Sequence, residues 1–231
     1  MIDAVLQDFK SGDEKHMIKI HRIKCGNGNC YVLEEKGNAV LVDTGGIGYR
    51  KKIEEKIRSF PIKFIILTHA HFDHCQNAEY FSKLFQAPIA MCQKDVDLIQ
   101  NQEKEKLFAK TILGKVVLKV SLASFKKVKM DFVPSVFLED GDFLEEYGIS
   151  AKVIALSGHT KGSIGIDCKE AGVLVGDALM NMFYPTISML YGNRDMVLQS
   201  AEKITKLGNV PIYFGHGKSV CNRKWIEKCV L

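Results

Sequence analysis

The chain has 231 residues, of which 46% are hydrophobic and 26% charged, an ordinary globular balance that supports one buried core. No apolar run reaches the roughly 18–20 residues that span a bilayer. The start, Met1-Ile2-Asp3-Ala4-Val5, lacks the basic head and apolar stretch of a secretory signal. A soluble, cytoplasmic protein with no membrane partner is therefore expected.

In chain order, short β-type runs come first, at residues 17–20, 30–33 and 39–42. Turns are expected at Gly26-Asn27-Gly28-Asn29 and Lys36-Gly37-Asn38. Residues 49–60 have helical spacing, with Ile53 and Ile57 four apart, and Pro61 stops them. Phe64-Ile65-Ile66-Leu67 is a continuous apolar run, the mark of a strand buried on both faces. A helix at 78–85 and a strand at 88–91 follow.

Residues 94–130 carry nine lysines against four acids, which accounts for the whole net charge of +5. Leu113, Val117 and Val120 stand there at helical spacing, among Lys115, Lys119, Lys126, Lys127 and Lys129. Two readings apply: a solvated amphipathic face, or a basic lid-like insertion whose lysines attract an anionic substrate. Strands are expected again at 151–156, 163–168 and 173–175, then a helix at 196–207, a strand at 211–214 and a terminal helix near 220–229. Interleaved strands and helices without a linker or repeat predict one layered α/β domain over residues 1–231. The seven cysteines (Cys25, Cys30, Cys75, Cys92, Cys168, Cys221, Cys229) are scattered and never spaced C-x-x-C, so free thiols are expected.

Chemistry concentrates at Thr68-His69-Ala70-His71-Phe72-Asp73-His74, directly after the buried strand. A loop leaving the carboxyl end of such a strand is where α/β sheets place ligand sites. Imidazole and carboxylate suit borderline metals such as zinc, and four donors this close suit two ions. In an irregular loop, His69 and His71 can face one ion while Asp73 and His74 turn to another. His159, Asp177 and His216 each follow a strand end in a glycine-bearing turn, and such loops gather on one edge of a layered fold.

These motifs, with Asp43 in Leu41-Val42-Asp43-Thr44-Gly45-Gly46, resemble in order the five motifs of the metallo-β-lactamase superfamily. The resemblance implies a single-domain, four-layer α/β fold, the αββα sandwich, with a two-metal cleft between its sheets. It implies that His69, His71 and His159 bind one metal and that Asp73, His74 and His216 bind the other, with Asp177 bridging. Asp43, together with Thr68, would stand behind the ligands and orient them. The expected cofactors are two divalent ions, zinc first, with iron or manganese as alternatives.

The expected activity is hydrolysis of an ester, thioester or lactone in a small-molecule substrate, anionic if the basic segment is a lid, with Asp73 also handling the proton. The alternative is an iron oxidoreductase of the persulfide-dioxygenase type on the same scaffold. Phe72, Phe183, Tyr184 and Tyr191 are candidate pocket walls. Gln76 replaces the glycine usual in glyoxalase-II-like relatives, and Met180 the tyrosine of lactonase-like ones. No nucleic-acid-binding appendage is visible, so no nucleic-acid partner is expected.

Overall fold

A computed structural model describes residues 17–125, 128 and 130–220. Two sheets carry the architecture. The first has six strands in the order β1 (Lys19–Cys25), β2 (Gly28–Glu35), β3 (Asn38–Val42), β4 (Ile62–Ile66), β5 (Ile89–Met91) and β6 (Val136–Phe137). The first three are antiparallel neighbours, and β3 to β6 run parallel. The second sheet contains β7 (Lys152–Ala155), β8 (Ile164–Asp167) and β9 (Val173–Leu174). A pair formed by β10 (Leu179–Met180) and β11 (Thr186–Ile187) stands apart. The last strand, β12 (Ile212–Tyr213), completes the second sheet beside β9, giving the order β12-β9-β8-β7.

Alternation along the strands decides the layers. Phe64 and Ile66 of β4, with Leu33, Val40 and Val42, face inward and meet Val153, Ile164, Ile166 and Leu174 of the second sheet. Ile65 and Leu67 point the other way, into α1 (Arg50–Ile57) and α3 (Ala78–Phe85), through Ile53, Ile57 and Phe81. On the far side of the second sheet, Ala201 and Ile204 of α6 (Arg194–Thr205) cover Val173, Val175, Ile212 and Phe214. The result is helix, sheet, sheet, helix. Each fully buried Ile, Leu or Phe contributes roughly 1.5–3 kcal/mol, so the three cores hold the sheets in a fixed relation.

Most elements fall where periodicity predicts them, with some differences. The first strand runs Lys19–Cys25 rather than 17–20, because the hairpin ladder continues from Lys19 opposite Glu34 to Cys25 opposite Gly28. The expected four-residue turn narrows to Gly26-Asn27. The two-residue strands β6, β10 and β11 are too short to give a periodic signal. Within residues 94–130 lie α4 (Val96–Gln100) and α5 (Ile112–Phe125). The terminal helix expected near 220–229 lies outside the described residues, as do Cys221, Cys229, Lys126, Lys127 and Lys129. Cys25, Cys30, Cys75, Cys92 and Cys168 are free thiols. Among the described residues no helix is long and apolar enough to cross a membrane.

Candidate metal centre

The loop after β4 enters the gap between the sheets, and its run is not wholly irregular as expected. His71 is the residue before a helical turn, α2 (Phe72–Cys75), which carries Asp73 and His74. His159 comes from the turn between β7 and β8, Asp177 from the turn after β9, and His216 from the loop after β12. Packing of the two sheets thus brings four distant loops to one place.

There, His69, His71 and His159 offer donor atoms within 4.8 Å of one another. Asp73, His74 and His216 form a second such group. Asp177 joins them: its carboxylate lies 3.7 Å from His159 Nε2, 3.5 Å from His74 Nε2 and 3.3 Å from His216 Nε2. The His71 Nδ1 and His159 Nε2 atoms are 2.9 Å apart.

Whether these residues fit metal ions can be read from unmet bonding capacity. His69 Nε2, His71 Nε2 and Asp177 Oδ1 are buried without a hydrogen-bond partner. A buried polar atom left unpaired costs free energy, and native interiors rarely carry several together. Histidine nitrogens and carboxylate oxygens at this separation are the donor set a pair of borderline divalent cations takes. The fit is good.

Behind the donors stands a polar frame. Asp43, buried and at a positive φ of 59° that Asp tolerates better than most residues, accepts from Thr68 N (2.8 Å) and Thr68 Oγ1 (2.9 Å). Asp43 Oδ2 also lies 2.8 Å from His74 Nδ1. The Thr68 hydroxyl is 3.1 Å from His69 Nδ1. These contacts set Asp43 and Thr68 directly behind the His74 and His69 rings.

Three further supports carry no motif of their own. The carbonyl of Asn27 lies 3.1 Å from His216 Nδ1, and that of Leu190 lies 2.7 Å from His159 Nδ1. Buried Asp95 accepts from Ala70 N, Gly162 N and the Thr160 hydroxyl, tying the first histidine loop to the His159 loop. Asp95 was legible only as an acid inside a basic segment. Gly215 is required by close approach, since a Cβ there would collide with Asp177 Oδ1 and His74 Cε1.

The electrostatics separate the two donor groups. Burial, aided by the neighbouring imidazoles, pushes His69 well below the usual range and His71 down to about 3. For His74 burial opposes the charged form, but Asp43, Asp177 and Asp73 outweigh it and raise the ring to about 9. His216 is raised as well, by Asp177 and Asp73 against burial. Burial would raise Asp73 and Asp177, yet the histidines hold both below the usual carboxylate range.

A cavity of about 340 Å³ opens over the donors. Phe72, Leu107, Met180, Met182 and Leu190 wall it, and α5 roofs it through Val116, Val117, Val120 and Phe125. Lys115 and Lys119 are exposed and do not line it. Of the aromatic candidates, Phe72 stands in this cavity. Phe183 lines an adjoining pocket, and Tyr184 and Tyr191 line a third with Lys110 and Arg194. Gln76 accepts a hydrogen bond from Ile47 N, so it tethers the 46–47 turn instead of facing the donors.

The fold and the two-group site define a class, and comparison gives the same answer. The family model of the metallo-beta-lactamase superfamily matches residues 23–216, and the chain belongs to that superfamily. It is 28% identical over 203 residues to an uncharacterized protein of Mycobacterium tuberculosis, covering 83% of this chain and 86% of that one. It is 26% identical over 197 residues to hydroxyacylglutathione hydrolase GloC of Haemophilus influenzae, covering 82% and 85%. Its fold is similar to that of the BLEG-1 B3 metallo-beta-lactamase, with a TM-score of 0.68 at 22% identity over 87% of this chain and 93% of that one.

Proposed function

We propose that the protein is a two-metal hydrolase that cleaves an ester, thioester or lactone bond of a small molecule. The observation that carries this reading is the placement of Asp177 within 3.7 Å of His159 in one donor group and within 3.5 Å of His74 and His216 in the other. One carboxylate shared between two complete groups suits two ions. Similarity to a relative named as a hydroxyacylglutathione hydrolase supports hydrolysis over other chemistry.

Held by these seven residues, two divalent ions would supply a strong oxygen nucleophile near neutral pH and polarise a carbonyl. The chain's own groups do the rest. Asp73 is the most exposed of the seven, its side chain 37% accessible, and it lines the cavity. It can take a proton from an attacking water and return it to a leaving group. Phe72, Val117 and Leu190 keep bulk water from the acyl part and orient it. Asp43 holds His74 in one tautomer and orientation.

Histidine-rich donors favour zinc, with iron or manganese as the other candidates. The setting is read as cytoplasmic. Metal analysis combined with a panel of small esters, thioesters and lactones tests the reading. About two zinc per chain with turnover on the panel supports it. One iron per chain, with oxygen consumed and no hydrolysis, overturns it in favour of a persulfide-dioxygenase-type oxidoreductase.

A further inference from the structure

Beside the metal centre lies a second pocket of about 520 Å³, lined by Arg22, Lys24 and Lys218 among polar neighbours. No acid lines it. We propose that these three cations form a recognition subsite for a carboxylate or phosphate group on the substrate, so that the enzyme selects anionic acyl compounds. This inference rests on the hydrolytic reading above and names the substrate class of that site.

The geometry follows from the β1–β2 hairpin. Arg22 and Lys24 are two apart on β1 and therefore share a face. Their cross-strand partners are Tyr31 and Asn29. The Tyr31 hydroxyl donates to Phe214 O at 2.6 Å, and the Asn29 amide donates to Phe214 O and Gly217 O at 2.9 and 2.8 Å. Arg22 Nη1 donates to Gly217 O at 3.2 Å. This face of the hairpin thus clamps the loop that carries His216, and Lys218 follows directly. The Asn181 amide holds the Lys218 carbonyl at 2.8 Å from the opposite wall.

The subsite is continuous with the centre. Asn27 and Met182 line both the basic pocket and the metal cavity, and the Asn27 carbonyl is 3.1 Å from His216 Nδ1. A substrate whose scissile bond sits over the donors therefore has a path along Asn27 to the cations. None of the three has a carboxylate partner among the described residues, whereas exposed Lys104 and Lys203 are paired with Asp97 and Asp140. Unpaired like charges around one concavity raise the local concentration of anions. Arg22 adds a planar donor fork that suits carboxylate and phosphate. The lysines of α5, which the sequence offered for the same task, stay outside both pockets.

The test compares 3-mercaptopropanesulfonate with uncharged 3-mercaptopropanol on the cobalt-loaded protein, read by the thiolate-to-cobalt absorption band. The sulfonate should bind about tenfold more tightly, a modest value because exposed cations are screened. Raising salt from about 0.05 to about 0.5 M should shrink that ratio. Lys24→Gln/Lys218→Gln should reduce it severalfold while leaving the neutral thiol unaffected, since neither lysine side chain holds the His216 loop, and Arg22→Ala/Lys218→Ala should abolish it. Inorganic phosphate titrated into the metal-free protein should shift the amide resonances of Asn27, Asn29 and Gly217, which reads the subsite without any metal.

With a matched pair of anionic and neutral thioesters, Lys24→Gln/Lys218→Gln should raise KM for the anionic one alone and leave kcat unchanged. Equal affinity for the two thiols, or equal loss of both in Lys24→Gln/Lys218→Gln, overturns the subsite. A sulfonate preference that persists without turnover of any panel substrate retains the subsite and overturns the hydrolytic reading. Turnover without a charge preference does the reverse.

Discussion

Asp43 Oδ2 lies 2.8 Å from His74 Nδ1, and both side chains are almost wholly buried. This pair ties the end of β3 to the donor loop after β4. It leaves His74 Nε2 as the ring nitrogen directed at Asp177 and His216, 3.5 and 3.4 Å away. The acid also takes the Thr68 amide, so one carboxylate sets both the path of the loop and the orientation of the His74 ring.

Asp43→Asn removes the charge but keeps the shape and tolerates the same positive φ. Metal affinity should fall about 10–100-fold, the usual cost of losing a group that orients a metal-bound histidine. Competition against a chromophoric chelator measures it. Unchanged affinity would remove the orienting role.

Asp73→Asn should lower the hydrolytic rate about 10²–10⁴-fold, the range of a lost proton-transfer group. The thermal midpoint should hardly move, because this side chain is the most exposed of the donor set, at 37%. Rate assays beside a melting curve decide the point, and full activity in the variant would sink the assignment.

The raised pKa of His74, about 9, makes metal uptake release protons. In the metal-free protein this ring is charged at pH 7.5, and Asp177 and Asp73 shift His216 toward its charged form as well. Loading should therefore expel about one to two protons per chain, measurable by calorimetry in two buffers of different ionisation enthalpy. A raised folded-state pKa contributes stability in full below the unfolded value near 6.5, and that contribution fades as pH climbs through about 9. His71, lowered to about 3, acts oppositely: stability falls as pH drops from about 6.5 toward 3, because only the unfolded chain takes the proton. A metal-free stability curve that rises from pH 7 to 9 would contradict this balance.

Gly215→Ala puts a methyl group against Asp177 Oδ1 and His74 Cε1. Crowding of this kind costs about 1–3 kcal/mol where neighbours must shift, and here the neighbours are metal donors. Both the metal content after dialysis and the melting temperature should drop. Retention of two metals would show that the loop can relax.

Val120→Asp probes the roof. Val120 is 64% exposed yet lines the metal cavity from α5. Stability should change by no more than about 0.5 kcal/mol, as for most surface changes. KM for esters with apolar acyl groups should rise severalfold, whereas short acetyl esters are unaffected. Equal kinetics on both would leave α5 a mere solvated face.

Much of the site is legible in the amino-acid sequence alone. His69, His71, Asp73 and His74 are close in sequence, and the apolar run ahead of them marks a strand end; both facts depend only on local spacing. Asp43 can be placed through its motif. Helix α3 occupies residues 78–85 as periodicity predicts, because its apolar stripe meets one sheet.

What the tertiary structure decided is which distant groups meet. His159, Asp177 and His216 converge on the histidine run because two twisted sheets pack face to face, and no periodicity encodes that angle. The same packing sends Tyr184 and Tyr191 to another pocket, turns the valines rather than the lysines of α5 toward the donors, and brings Arg22 beside Lys218 from opposite ends of the chain. Local sequence therefore determined which metal-donor side chains the chain carries and the superfamily they mark. The partners of each ligand and the shape of the cavity were settled by long-range burial.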